Sequence, residues 1–353
     1  MKICYLNRHL QDDTGVGAFC LALIKSITGI RSDVSYNILT GEDMLSGGFF
    51  GLAFNFFKIR RFFSQHDIIH ALDAWPYGVI AALFSLGLKK TVLITAIGTG
   101  AVEPLYHILK RSLLIWAYRS AHKVVAVSSN TKSEILKVIP DLKIEVINHG
   151  VDYQKFKSQI SNLKIIEDLK PYILSVGWLK PRKGLIYSLR AFALIVAKFP
   201  NLRYLIVGEG LEYENLVAES TRLGVRDKII ILKKVSEEYL VSLYKAAELF
   251  LLLPQSDSKD IEGFGLVFLE AAACGLPVIG TYKSGAADAI WEGHNGLLVE
   301  SRDSQAAAAA MLKILTDNAL RNKFSRNSIL FAQKMSWARA ARLYLNIYEF
   351  QVR

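Results

Sequence analysis

Two carboxylates, Glu262 and Glu270, lie eight residues apart in Glu-Gly-Phe-Gly-Leu-Val-Phe-Leu-Glu, which continues as AAACGLPVIGT. The segment follows an apolar run, LFLLLP, and a polar loop, QSDSKD. Gly263 and Gly265 permit a sharp turn and let the backbone approach a ligand without a Cβ in the way. From about Gly265 the pattern becomes helical, and the free amides at a helix start can face an anion. In one continuous helix the two carboxylates would point about 80° apart at 3.6 residues per turn. A loop followed by a helix instead lets both address one elongated ligand. Glu270 sits in the apolar stretch FLEAAACG and is expected to be buried, where a carboxylate needs donors such as ligand hydroxyls. The alternative is a Glu270 that caps a neighbouring loop and a Glu262 in solvent.

A second candidate is Ser175-Val-Gly-Trp-Leu-Lys-Pro-Arg-Lys-Gly184, in which Lys180, Arg182 and Lys183 crowd a loop bounded by Gly and Pro. Such a loop suits phosphate oxygens, and it is equally the composition of a solvated basic turn. A third is Asp12-Asp-Thr-Gly15-Val-Gly17, a glycine-rich turn between a strand and a helix and thus a phosphate-binding device. The dinucleotide spacing G-x-G-x-x-G fails there, because Cys20 takes the third glycine position. His70 and Asp73 in DIIHALDAWP stand at a strand end. Of these, Asp73 is the candidate for an acceptor site, and His70 reads as a core histidine or as a substrate contact. There is no Asp-x-Asp, and the seven histidines have no ligand spacing.

Positioning these residues falls to two series of alternating elements. KICYL, DIIHAL, TVLITAI, KVVAVS and IEVIN read as buried parallel strands, with helices between them such as Gly17–Thr28, Tyr77–Leu86 and Leu105–Ala121. After a polar stretch at Ser158–Lys170, read as a linker, the pattern restarts with PYILSVG, RYLIVGEG, KIIILKKV, LFLLLP, PVIGT and GLLVE. The expectation is an α/β chain of two Rossmann-like, doubly wound domains facing a central cleft, with ligands at the carboxyl ends of the strands. The domains are placed at 1–165 and 166–335, and residues 336–353 form a last amphipathic helix.

The chain has 353 residues, too many for one ordinary domain, and its 52% hydrophobic content excludes disorder. No run is long and apolar enough to span a bilayer, the N-terminus has no signal-peptide pattern, and three scattered cysteines suit a reducing compartment. A cytoplasmic location is expected. Net charge is +11, and residues 1–165 hold 19 basic against 12 acidic side chains. Charge alone admits nucleic acid, anionic lipid or phosphorylated substrates. No basic run with interleaved aromatics supports nucleic acid, which is set aside.

Together the three glycine- and charge-bearing elements resemble the retaining glycosyltransferases of family 4, which have the GT-B architecture, and the resemblance extends over essentially the whole chain. Glu262 and Glu270 match that family's pair of glutamates, Gly15 and Gly17 its N-terminal glycine loop, and Lys183-Gly184 its Lys-Gly element. AVSSNTK (126–132), INHGVD (147–152), GEG (208–210) and Ser336-Trp337 stand where the family has similar stretches, and its last helix packs back on the first domain. The resemblance implies a nucleotide-diphosphate sugar as donor, no cofactor and no metal. It implies that Glu262 holds hydroxyls of the donor sugar, Glu270 those of the ribose, and Lys183 with Arg182 the diphosphate. Amides of Gly263, Phe264, Gly265, Leu266 and the Gly15–Gly17 loop would surround phosphates and sugar. The implied chemistry is front-face substitution with retention, the leaving phosphate taking the acceptor proton. A softer similarity of SDSKDIEGFG points to branches that build lipid-linked mannosides and exopolysaccharides, and so to a glycan or lipid-linked acceptor. Two positions depart from the family: Ile97 stands for its histidine in Ala96-Ile-Gly-Thr99, and Trp178 for its arginine in Gly177-Trp178. The departures motivate a rival, an inactive nucleotide-binding partner subunit; a Rossmann oxidoreductase is the second rival.

Residues 45–63, LSGGFFGLAFNFFKIRRFF, place Phe49, Leu52, Ala53, Phe56 and Phe63 on one helical face beside Lys58, Arg60 and Arg61. They read either as an interfacial helix gripping an anionic membrane or as a helix packed on the first sheet.

Overall fold

The computed structural model describes residues 1–8, 15–45, 55–157, 163–256 and 260–352. The chain divides into two compact units: Met1–His149 with Ser258–Gly263 and Trp337–Arg353, and Gly150–Asp257 with Phe264–Ser336.

In the first unit, β1 (Lys2–Asn7), β2 (Ser35–Thr40), β3 (Ile68–Ala71), β4 (Thr91–Ala96), β5 (Lys123–Ala126) and β6 (Ile144–Val146) form a six-stranded sheet in the order β2-β1-β3-β4-β5-β6. Every pairing is parallel. β3 and β4 are buried throughout, as expected for strands covered on both faces. β2 was not anticipated: its six residues lie at the sheet edge, none fully buried, so SYNILT has no apolar run to announce it. The helix Trp337–Val352 packs against the helix Gly15–Ile30 of the same unit.

The second unit holds β7 (Tyr172–Val176), β8 (Arg203–Val207), β9 (Ile229–Leu232), β10 (Leu249–Leu251), β11 (Val278–Thr281) and β12 (Gly296–Val299), in the order β12-β11-β10-β7-β8-β9 and again all parallel. In both sheets the chain starts on an inner strand, runs out to one edge and then returns to fill the other side, which is the doubly wound pattern.

The division falls at His149/Gly150 rather than at 165/166. Part of the expected linker is structured: Leu163–Leu169 is a helix of the second unit, and its Ile166 is buried. The turn Lys155–Lys157 also belongs there, with Phe156 buried and edge-on to Tyr244. Glu167 and Asp168 face solvent beside the buried Ile166.

Candidate active site

In the second unit, β7 ends at Val176 and the chain turns through Pro181–Lys183 into the helix Leu185–Ile195. Gly184 joins the two with φ 63°, and a Cβ there would lie 1.8 Å from the Leu253 carbonyl oxygen, so only glycine fits. The Arg182 carbonyl accepts from the Gln255 amide at 2.6 Å, which ties this turn to the loop after β10. Lys183 is buried, which few lysines are without an anionic or polar counterpart. Arg182 is half-buried and Trp178 is 48% exposed, with the Lys180 ammonium 6.0 Å from its ring centre.

Glu270 lies in the helix Leu266–Ala273, which Gly265 opens in the left-handed conformation. The amides of the first turn have no intrahelical acceptor. The Tyr244 hydroxyl, itself fully buried, donates to Glu270 Oε2 at 3.0 Å. Burial raises the Glu270 carboxyl above its ordinary value, opposed by that hydrogen bond and by the charges of Lys155 and Lys183. Glu270 is therefore half-buried and held by a side chain, not capping a neighbouring loop. The sequence offered no sign of Tyr244 or Lys155; neither lies in a glycine-rich turn or beside the glutamates.

Glu262 belongs to the first unit, with the segment that reaches Gly263. It is buried at 5% exposure, which removes the solvent alternative. Its neighbours are fastened to the carboxyl end of β4. The Thr99 hydroxyl accepts from the Ile261 amide at 2.9 Å and donates to Asp260 Oδ1 at 2.9 Å, and Thr131 Oγ1 donates to the Gly263 carbonyl at 3.4 Å. Gly98, at φ 48°, lets the two backbones meet: a Cβ on it would lie 3.0 Å from Gly263 Cα. Ile97 and Phe264 are buried, and Gly263 and Leu266 are half-buried. Thr99 is a residue the sequence reading passed over, although its place just past a strand's carboxyl end is where ligand-handling residues gather.

His149 is stacked between Phe19 and Trp337, with ring centres at 4.5 and 5.9 Å. Burial lowers it to about 3, with the Glu262 charge acting the other way. His70 proves to be a core histidine. Its Nδ1 pairs with the Tyr348 hydroxyl and its Nε2 with Thr95 Oγ1, both at 2.8 Å, and burial lowers it to about 3. Asp73 accepts from the Ala74 amide at 2.7 Å through Oδ1. Burial raises it to about 7, offset in part by Arg8. A Cβ on Gly100 would lie 2.7 Å from the same oxygen, so glycine makes room for this carboxylate.

Gly15 is exposed and opens the first helix, and a side chain on it would meet nothing within 4 Å; Gly17 is buried. Asp12, Asp13 and Thr14 lie outside the described residues. So do Phe49, Leu52 and Ala53 of the 45–63 segment. In the helix Phe56–Ser64, Ile59 and Phe63 are buried, Phe56 packs on the core, Phe57 is exposed, and the Arg60 guanidinium donates to the carbonyls of Phe84 and Leu86. Among the described residues, no three His, Cys, Asp or Glu side chains are grouped to hold a metal, and no helix is long and apolar enough to cross a membrane.

The family described as "Glycosyl transferases group 1" matches residues 156–331, and "Glycosyltransferase Family 4" matches residues 38–155. A D-inositol 3-phosphate glycosyltransferase of Kribbella flavida is 32% identical over 310 residues, 80% of this chain and 71% of that protein. A GDP-mannose-dependent alpha-(1-6)-phosphatidylinositol monomannoside mannosyltransferase of Mycolicibacterium smegmatis is 28% identical over 271 residues, 74% of this chain and 70% of that protein. Among solved structures, Anabaena HepE in complex with UDP superposes with a TM-score of 0.82 at 20% identity, over 99% of this chain and 100% of that one. The same protein has been solved with UDP-glucose. At that identity the likeness is one of fold, GT-B.

Proposed function

From its membership of the glycosyl transferases group 1, family 4, to which this chain belongs, we propose that it moves a hexose from a nucleotide-diphosphate sugar to an acceptor with retention of configuration. In this reading Lys183, with Arg182, neutralises the diphosphate as it leaves. Glu270 accepts from the ribose hydroxyls, and Glu262 from hydroxyls of the donor sugar. The amides of Gly263, Phe264, Gly265 and Leu266 and the Gly15–Gly17 turn line the phosphates and sugar. Side-chain cations and helix-start amides stabilise the leaving group, so no metal is required. Asp73 meets the acceptor hydroxyl.

The single observation that carries the reading is Lys183, a buried lysine locked in its turn by Gly184, whose charge is felt at Glu270. A buried cation and a held carboxylate at the carboxyl ends of one parallel sheet are suited to a ligand with a diphosphate at one end and hydroxyls at the other. A nucleotide-sugar donor is also supported by the bound UDP and UDP-glucose of HepE. A glycan or lipid-linked acceptor is supported by the mannosyltransferase relative, named for a phosphatidylinositol mannoside.

Turnover of a panel of UDP- and GDP-hexoses, with acceptor extracts and with chelator present, tests this. Release of nucleoside diphosphate from one donor, undiminished by chelator, is expected. Binding without turnover across the panel would favour the inactive-subunit reading, and loss of turnover with chelator would overturn metal independence.

A further inference from the structure

Gln255 opens the polar loop after β10, and it is half-buried among other loops of the second unit. Its main-chain amide donates to the Arg182 carbonyl at 2.6 Å. Its side-chain Nε2 donates to the Leu253 carbonyl at 2.8 Å, and its Oε1 accepts from Arg302 Nε at 3.0 Å. The Leu253 carbonyl is the group that denies Gly184 a side chain, and a Cβ there would also lie 2.9 Å from Gln255 Nε2. Gln255 is thus laid over the turn that carries Arg182 and Lys183. The residue before it is fixed as well, because the Pro254 carbonyl accepts from Thr281 Oγ1 at 2.7 Å.

Arg302 holds the other end of this arrangement under strain. It is the third residue of the turn Glu300–Asp303, which the Asp303 amide closes on the Glu300 carbonyl at 3.3 Å. Its φ is 66°, a left-handed conformation that glycine adopts without steric cost and a long side chain does not. Arg302 is exposed, so burial does not explain an arginine at this position. What the arginine adds over glycine is its bond to Gln255. Backbone strain of this kind gathers at functional sites.

The three loops follow β12, β10 and β7 at the carboxyl end of one sheet. Two hydrogen bonds therefore link the Arg302 guanidinium, through Gln255, to the main chain beside Lys183. We propose that Gln255 is a positioning residue for Lys183 and that Arg302 locks it in place. Together they hold the Pro181–Lys183 turn so that the buried ammonium keeps its position while charge develops on the leaving diphosphate. Misplacement of such a group by about 1 Å costs up to roughly 100-fold in rate. The effect on transfer rests on the diphosphate reading of Lys183 above, but the bracing of the turn does not.

Hydrogen–deuterium exchange of the full chain without donor reads the turn, and turnover reads the consequence. Gln255→Ala and Arg302→Gly should each speed exchange across residues 180–184 at least about threefold, with the first unit unchanged. Turnover should fall about tenfold in Gln255→Ala and about threefold in Arg302→Gly. The melting temperature of Arg302→Gly should not fall, because the substitution releases the strained backbone. In a Lys183→Ala background, Gln255→Ala should cost less than about a further twofold, since the group it positions is gone. Wild-type exchange across 180–184 in both variants would overturn the proposal. So would losses that multiply in full in the double variant, or an Arg302→Gly protein that melts lower and turns over normally. Near-normal turnover by Lys183→Ala would instead remove the diphosphate reading, and exchange alone would then decide the bracing.

Discussion

Glu262 and Glu270 belong to one short motif yet are fastened in different ways. Glu262 is buried in a segment of the first unit outside helix and strand, and the main chain on either side of it is tied down: the Ile261 amide on Thr99, the Gly263 carbonyl on Thr131 and the close pass of Gly98. Glu270 is on a helix of the second unit and is held by its own carboxylate, through the Tyr244 hydroxyl and the charges of Lys155 and Lys183. The chain passes from one unit to the other between them, at Gly263 and Phe264. A fixed spacing thus serves two environments, an irregular buried segment of the first unit and a helix of the second. On the proposed function these correspond to two parts of the donor, the sugar and the nucleotide.

Lys183→Ala should have the largest effect, because on the proposed function it removes the cation that meets the leaving group on the Glu270 side. Transfer should fall about 100-fold or more with the melting temperature little changed, since the turn is set by Gly184. Near-normal turnover would contradict the phosphate assignment. Tyr244→Phe sharpens the comparison from the same side. It leaves the Glu270 carboxylate one donor short, and binding of sugarless nucleotide should weaken by about 0.5–1.5 kcal/mol, read by calorimetry. Thr99→Val acts on the other side. The Ile261 amide loses its acceptor, so turnover should drop several-fold, by about 1 kcal/mol, while sugarless nucleotide binds as before and Thr99→Ser restores the rate.

The smallest effect is on stability against pH in the first unit. Asp73 moves from 3.8 unfolded to about 7 folded, so the folded state holds the proton more tightly, and this group's contribution declines as pH rises through that window. His70 and His149 move from 6.5 to about 3, so their contribution is complete above 6.5 and is lost as pH falls toward 3. Melting temperatures from pH 4 to 7 should show Asp73→Asn removing the alkaline-side decline and leaving the acid-side one.

The architecture was legible because eleven of the twelve strands lie in short apolar runs bounded by turn residues, as parallel strands covered by helices require. β2 escaped because an edge strand needs no such run. Membership of the family was legible in the motif resemblance carried by Glu262, Glu270 and Lys183-Gly184, of which Gly184 is the one whose turn admits only glycine. What holds those residues was not. Tyr244 is packed like any core tyrosine, and its hydroxyl finds Glu270 only once a helix 26 residues further on is in place. The apolar face counted through Phe56 and Phe63 read equally as core or membrane, because periodicity records which side is apolar and not what covers it. Phe56 and Phe63, the described residues of that face, pack on the core, and an exposed cluster lies at Ile108 and Leu109, in a stretch read from sequence as simply helical.

The most direct test of the division between the two glutamates is calorimetric titration of Glu262→Gln and Glu270→Gln with bare nucleoside diphosphate, beside turnover of the full donor. Each substitution keeps the side chain's shape and removes its charge. Glu270→Gln should weaken bare-nucleotide binding by about 1–2 kcal/mol. Glu262→Gln should bind the bare nucleotide like wild type and lose turnover, because its contact forms only when the hexose is present. Equal weakening of bare-nucleotide binding in both variants would contradict the account.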